Sequence, residues 1–190
     1  MTAMSSLRRS CVAGLLCTVA FTAASAQAID AARSAVSATF KQMGVPVEGK
    51  FSKFAGQVRY DPASPATAQA SIDVDVASFD LGDAQYNQEV RGKEWFDAAQ
   101  FPRASFVSTS VKPLAAGRLE VSGRLTLKGR TVDVNVPLSV RRDNGGASVF
   151  EGSVPVRRLA FGIGEGEWKD TGLLADEVLV KFKLVVAAGK

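Results

Sequence analysis

The stretch Leu119-Glu120-Val121-Ser122-Gly123-Arg124-Leu125-Thr126-Leu127, then Lys128-Gly129-Arg130, then Thr131-Val132-Asp133-Val134-Asn135-Val136-Pro137-Leu138-Ser139-Val140 decides the fold class. Leu119, Val121, Leu125 and Leu127 share one parity, while Glu120, Ser122, Arg124 and Thr126 share the other. A period of two places the first set on a buried face and the second on a solvated one, the signature of a half-buried β-strand. Val132, Val134, Val136, Leu138 and Val140 repeat the pattern beyond Gly129, so a tight turn around Lys128-Gly129-Arg130 joins two antiparallel partners.

The same period extends outward in both directions. Downstream, Asn144-Gly145-Gly146 marks a turn, a shorter strand runs through Val149, Phe150, Val154 and Val156, and a last one through Val178, Val180, Phe182, Leu184 and Val186. Upstream, Ile72, Val74 and Val76 alternate with Asp73 and Asp75, and Ser105 to Val111 is rich in β-prone residues. Val36 to Phe40 and a long segment from Val47 to Tyr60, bent at Gly49 or Gly56, bring the expectation to eight strands. Ala84 to Phe96 alone reads as helical, with Pro102 closing the connection behind it. Eight antiparallel strands with short polar connections close into a barrel or split into a sandwich, and the pattern leaves both open. An outer-membrane barrel would need aromatic girdles at its strand ends, which two Trp and two Tyr do not supply.

The 190 residues, 46% hydrophobic and 22% charged, suit one buried domain. Histidine is absent, which removes Ser/His/Asp triads, Cys/His dyads and imidazole-bound metals. Arg8 and Arg9 precede an apolar stretch from Cys11 to Ala24 and overlapping small-residue cleavage patterns ending at Ala26 and Ala28. This reads as a secretory signal peptide over residues 1–28, too short in its apolar part for a membrane-spanning helix, followed by a domain over 29–190. Both cysteines, Cys11 and Cys17, lie in the leader, so the mature chain is expected to carry no thiol and no metal site. Losing Arg8 and Arg9 also lowers the net charge from +4 to +2, and the remaining basic residues are scattered, so nucleic acid is not an expected partner.

Ten of the eleven Phe lie beyond the leader, spread over nearly every predicted strand. They fill either an ordinary packed core or the wall of a ligand cavity, and an eight-stranded barrel is just wide enough inside for either. The segment Trp95-Phe96-Asp97-Ala98-Ala99-Gln100-Phe101 places three aromatics in a non-strand connection, fit to form an apolar lid over a barrel mouth. Arg91 and Lys93 stand beside it as head-group candidates for an anionic ligand. The pairs Asp73 with Asp75 and Asp80 with Asp83 raise a carboxylate hydrolase as an alternative, but solvated strand faces explain them more simply. Gly162-Ile163-Gly164-Glu165-Gly166 lacks the Lys-Ser/Thr of a phosphate loop and reads as a strand connection. A non-catalytic β-sandwich interaction module is the third reading.

Val47-Glu48-Gly49-Lys50-Phe51 with Phe54-Ala55-Gly56, Trp95-Phe96-Asp97 leading to Phe101-Pro102 and Phe106, and Val121 to Gly129 together resemble the YceI family. Leu159 to Gly164 and Ala175-Asp176-Glu177-Val178 continue the resemblance over essentially the whole mature chain. It implies an all-β, eight-stranded antiparallel lipocalin-like barrel with a short helical segment near its mouth. It also implies a periplasmic carrier, not an enzyme, for an isoprenoid lipid such as an isoprenoid quinone or polyprenyl phosphate. The pocket positions so implied are Phe40, Phe51, Phe54, Trp95, Phe96, Phe101, Phe106, Leu125, Leu127 and Phe161. The resemblance carries over no catalytic residue and no cofactor beyond the bound lipid. It is compatible with a homodimer and with transient membrane contact. Many members have His in the first strand region, where this chain reads Phe40-Lys41-Gln42-Met43, so no His-dependent role transfers.

Overall fold

The computed structural model describes residues 26–187; the leader read from Arg8 to Ala24 lies outside them. The strands are β1 (Gln27–Ala28), β2 (Ala35–Gln42), β3 (Val45–Phe51), β4 (Phe54–Arg59), β5 (Gln69–Asp75) and β6 (Phe79–Asp80), followed by the helix α1 (Ala84–Val90). Then come β7 (Arg103–Pro113), β8 (Arg118–Leu127), β9 (Arg130–Arg142), β10 (Ser148–Arg157) and β11 (Glu177–Val186). All belong to one curled antiparallel sheet in the order β1-β4-β5-β7-β8-β9-β10-β11-β2-β3-β6. The deciding stretch forms β8 and β9 in the expected register, Leu119 opposite Leu138 and Leu127 opposite Arg130. Lys128 and Gly129 both take positive φ, 48° and 71°, the two-residue turn whose twist matches that of the strands it joins.

The strand count differs from the eight expected: nine strands have six or more residues among those described, and β1 and β6 have two each. The long segment Val47 to Tyr60 is two strands, and it breaks at Ser52-Lys53, at neither Gly49 nor Gly56. Phe51 still pairs with Val36 of β2, whereas Phe54 already pairs with Val74 of β5. Between them the backbone exchanges partners: Ser52 N–H donates to the Ser78 carbonyl, and the Lys53 carbonyl accepts from Asp75 N–H. The inward phase shifts here by one position, from Val47, Gly49 and Phe51 in β3 to Phe54, Gly56 and Val58 in β4, so a single strand read through the segment crosses a real break.

Closure comes from the N-terminal segment. Gln27 and Ala28 pair with Val58 and Gln57, Ile29 N–H donates to the Gly56 carbonyl, and Ile29 bridges to Val186 at the end of β11. One chain segment thus spans the gap between β4 and β11 at that end of the curl, and the Ile29 side chain is buried against Val36, Val58, Phe150 and Leu184. The helical reading of Ala84 to Phe96 is also shortened. Asp83 caps α1 by accepting from Gln85 and Tyr86 N–H, but the helix stops at Val90 and the chain turns through Gly92 to Asp97. Asp97 sits at φ 49°, and its N–H donates to the Gly92 carbonyl, a reversal incompatible with continued helix.

Candidate functional site

Inside the curl lies a cavity of about 170 Å³. Inward-facing positions supply its wall: Val58 from β4, Ile72 from β5, Val121 from β8, Val134 and Val136 from β9, Phe182 and Leu184 from β11. Of all its lining residues among those described, only Gln69, Ser105 and Ser108 have polar side chains, and all three belong to β5 and β7. Such a wall excludes charge and provides no acid, base or nucleophile pair; it suits an apolar guest.

Glycines keep the space open. A Cβ on Gly123 would lie 2.4 Å from the Phe106 ring, and one on Gly152 would lie 2.7 Å from the Phe182 ring. Each ring therefore lies across an inward-facing glycine, flat against the wall, where any side chain at that glycine would drive it into the lumen.

The expected pocket residues divide into groups. Phe106 and Leu125 line the cavity. Phe51 and Phe96 form an aromatic layer with Phe79, ring centroids 4.7 to 6.3 Å apart, and Phe40 packs beside it. Trp95 faces Trp168 at 5.5 Å, and the Phe101 ring lies against Gly129. Phe161 is fully buried in the cluster of Leu119, Val121, Val136, Val154, Val156 and Ile163, with Leu127 packed on it. Phe54 packs on the cluster around Ile29. The aromatic segment 95–101 is thus part of a tied closure at one end: Gly164 and Glu165 N–H both donate to the Glu94 carbonyl at 2.8 and 3.0 Å. Lys128 Nζ adds a bond to the Gly162 carbonyl at 2.6 Å. Arg91 and Lys93 are exposed on this closure and do not line the cavity.

The carboxylates have structural work. Asp75 accepts from Ala77 N–H, Asp83 caps α1, and Asp80 accepts from Asn87 Nδ2 and Gly82 N–H. Those bonds, Asn87's foremost, hold the Asp80 carboxyl below the ordinary value. Asp73 is exposed on a strand face.

Sequence reading missed most of the aliphatic lining and one polar hub. The lining was available from strand parity, since Val134, Val136, Val180 and Leu184 all carry the apolar phase of their strands. The hub is Arg158, 3% exposed, whose guanidinium donates to the carbonyls of Ile163, Gly164, Trp168, Leu174 and Ala175 at 2.6 to 3.0 Å. It ties together the connection between β10 and β11 beside the aromatic closure.

Compared with known proteins, residues 27–186 match the model of the YceI-like domain. A UPF0312 protein of Vibrio cholerae serotype O1 is 34% identical over 122 residues, 62% of this chain and 65% of that protein. Another, from Shewanella sp. strain W3-18-1, is 34% identical over 116 residues, 60% of this chain and 59% of that one. The matched stretches thus span less than two-thirds of those relatives' length. The crystal structure of Burkholderia cenocepacia BcnA superposes with a TM-score of 0.80 at 50% identity, over 83% of this chain and 98% of that one. A domain from Saccharophagus degradans, described as polyisoprenoid binding, shares the fold with a TM-score of 0.68 at 19% identity, over 85% and 97% of the two chains.

Proposed function

The chain belongs to the YceI-like family, and from that premise we propose that it is an exported binding protein that carries an isoprenoid lipid by its tail in the cavity of the curled sheet. The carrying observation is the cavity itself, enclosed by aliphatic and aromatic side chains and kept open where Phe106 and Phe182 lie across Gly123 and Gly152. The fold shared with a polyisoprenoid-binding domain agrees with this. Burial of each methylene contributes about 0.8 kcal/mol, so a tail dominates the affinity and the head adds a smaller, orienting part. A volume of about 170 Å³ compares with engineered cavities of about 150 Å³ that take up benzene, so a long tail is accommodated only as the curled sheet opens around it. Titration of the purified protein with prenyl alcohols of increasing length tests this. Affinity should rise steeply with each added unit until the lumen is full; affinity independent of length would refute tail burial.

Export to the periplasm rests on the leader read in the sequence, and the fold bears on where it is cut. Cleavage after Ala26 keeps β1, whereas cleavage after Ala28 removes both its pairs with β4. Retention of those pairs favours a mature chain that begins at Gln27. N-terminal analysis of exported protein distinguishes the two; a start at Ile29 contradicts this choice. The hydrolase reading finds no support, because Asp75, Asp80 and Asp83 accept turn and cap hydrogen bonds and do not converge in the cavity.

A further inference from the structure

We propose that the ligand's polar head rests, and its tail passes in, at the split between β5 and β7, on the opposite side of the cavity from the aromatic closure; this rests on the lipid-binding reading above. The ladder between these strands runs from Asp75↔Arg103 to Ser71↔Val107 and stops there. Beyond that point Ala70 N–H finds no strand partner on β7 and donates instead to the Ser108 hydroxyl at 2.8 Å. The register of β7 against β8 shifts between Ser108 and Ser110, a bulge in β7 immediately beyond the last β5–β7 pair, and a bulge bends the strand that carries it. Ser108, on the inward phase of β7, and Gln69, exposed on the outer face of β5 that it shares with its ladder partner Arg59, flank the split. Arg59, the ladder partner of Gln69, has a buried Nε without a hydrogen-bond partner. A group that accepts hydrogen bonds, a carbonyl, hydroxyl or phosphate oxygen on an apolar tail, is what these donors would recognise.

The cover over the split is loosely held. Segment 61–68 contains nothing bulkier than proline after its first residue, and its hydrogen bonds run within it: Ser64 N–H to Asp61, Thr67 N–H to Ser64, and Ala68 N–H to Pro65. A segment that packs on β7 without bonding to it opens locally at small cost. The other end offers no such path. The chain there is cross-tied by the two bonds to the Glu94 carbonyl, by Lys128 and by the five bonds of Arg158, and the Trp95 and Trp168 rings lie over it.

The test closes the split with a disulfide between Ala70→Cys and Ser108→Cys in the processed protein, which has no other thiol. The probes are geranylgeraniol, its phosphate, and a hydrocarbon of matched tail. With the bridge formed, uptake of all three should slow at least about tenfold and recover on reduction. In a separate variant, Gln69→Leu, the oxygen-headed probes should bind about two- to tenfold more weakly while the hydrocarbon is unchanged, the scale of one net hydrogen bond at a solvent-facing site. Undiminished uptake with the bridge confirmed, or equal losses for all three probes in Gln69→Leu, overturns the proposal. Failure of the unmodified protein to take up any probe overturns the lipid-binding reading itself.

Discussion

Arg158 is a buried cation that gives its hydrogen bonds to five main-chain carbonyls. Burial draws its pKa down from the ordinary guanidinium value, and Asp176 nearby partly offsets this. Nothing in the sequence around Arg157-Arg158-Leu159 distinguishes it from the exposed arginine before it, because its partners are carbonyls contributed from residues 163 to 175. Arg158→Leu would leave several buried carbonyls unpaired, and we expect a loss of about 3 kcal/mol or more, a fall of about 6–12 °C in thermal midpoint. Circular dichroism melting checks this, and a change under 2 °C, on the order of a surface substitution, would show the hub to be dispensable. Asp143 acts through charge: it pairs with Arg33 and accepts from Gly145 and Ala147 N–H, and the Arg33 bond foremost holds its pKa below 3.8. A lowered carboxyl pKa stabilises the fold above the unfolded value and loses that contribution as pH falls through the folded one. Asp143→Asn should therefore be less stable than wild type at neutral pH, with the gap narrowing below about pH 3.8; a gap unchanged down to pH 2 would contradict the assignment.

Among the elements, period two was enough to find β5 and β8 to β11, and β-prone composition marked β7; each of these has a neighbour on both sides. The boundary between β3 and β4 is carried by a change of phase, odd inward positions up to Phe51 and even ones from Phe54, which one strand read from Val47 to Tyr60 passes over while the backbone between them changes partners. β1 and β6 escaped for another reason: two residues are too few to show a period. The candidate site was legible only in part. Aromatic residues drew attention to the closure over one end, where most of them pack on one another, whereas the cavity wall is chiefly valine and leucine. The informative signal was the glycine within the strand. Gly123 carries the apolar phase of β8 and is there to receive the Phe106 ring. Gly123→Ala should cost about 1–3 kcal/mol by overpacking and weaken uptake of a prenyl alcohol as the ring is pushed into the lumen. Denaturant unfolding and a binding titration measure both, and a variant as stable and as avid as wild type would show that the ring has room elsewhere.

At the scale of the molecule, a chain with this fold organises two unlike ends. One is cross-tied through Glu94, Lys128 and Arg158 under a pair of tryptophans; the other is sealed by the N-terminal segment between β4 and β11. Among the described residues no helix is long and apolar enough to cross a membrane. Between the ends lies a carbon-walled lumen whose lining, among the described residues, holds no charged side chain, and it is on this interior that the proposed lipid carriage rests. The measurement that bears on this most directly is native mass spectrometry of the protein purified without detergent, followed by organic extraction and identification of what is released. The expected result is a stoichiometric apolar adduct whose extract contains an isoprenoid chain. A protein that remains unliganded by mass and takes up no prenyl alcohol when one is supplied would contradict the carrier function.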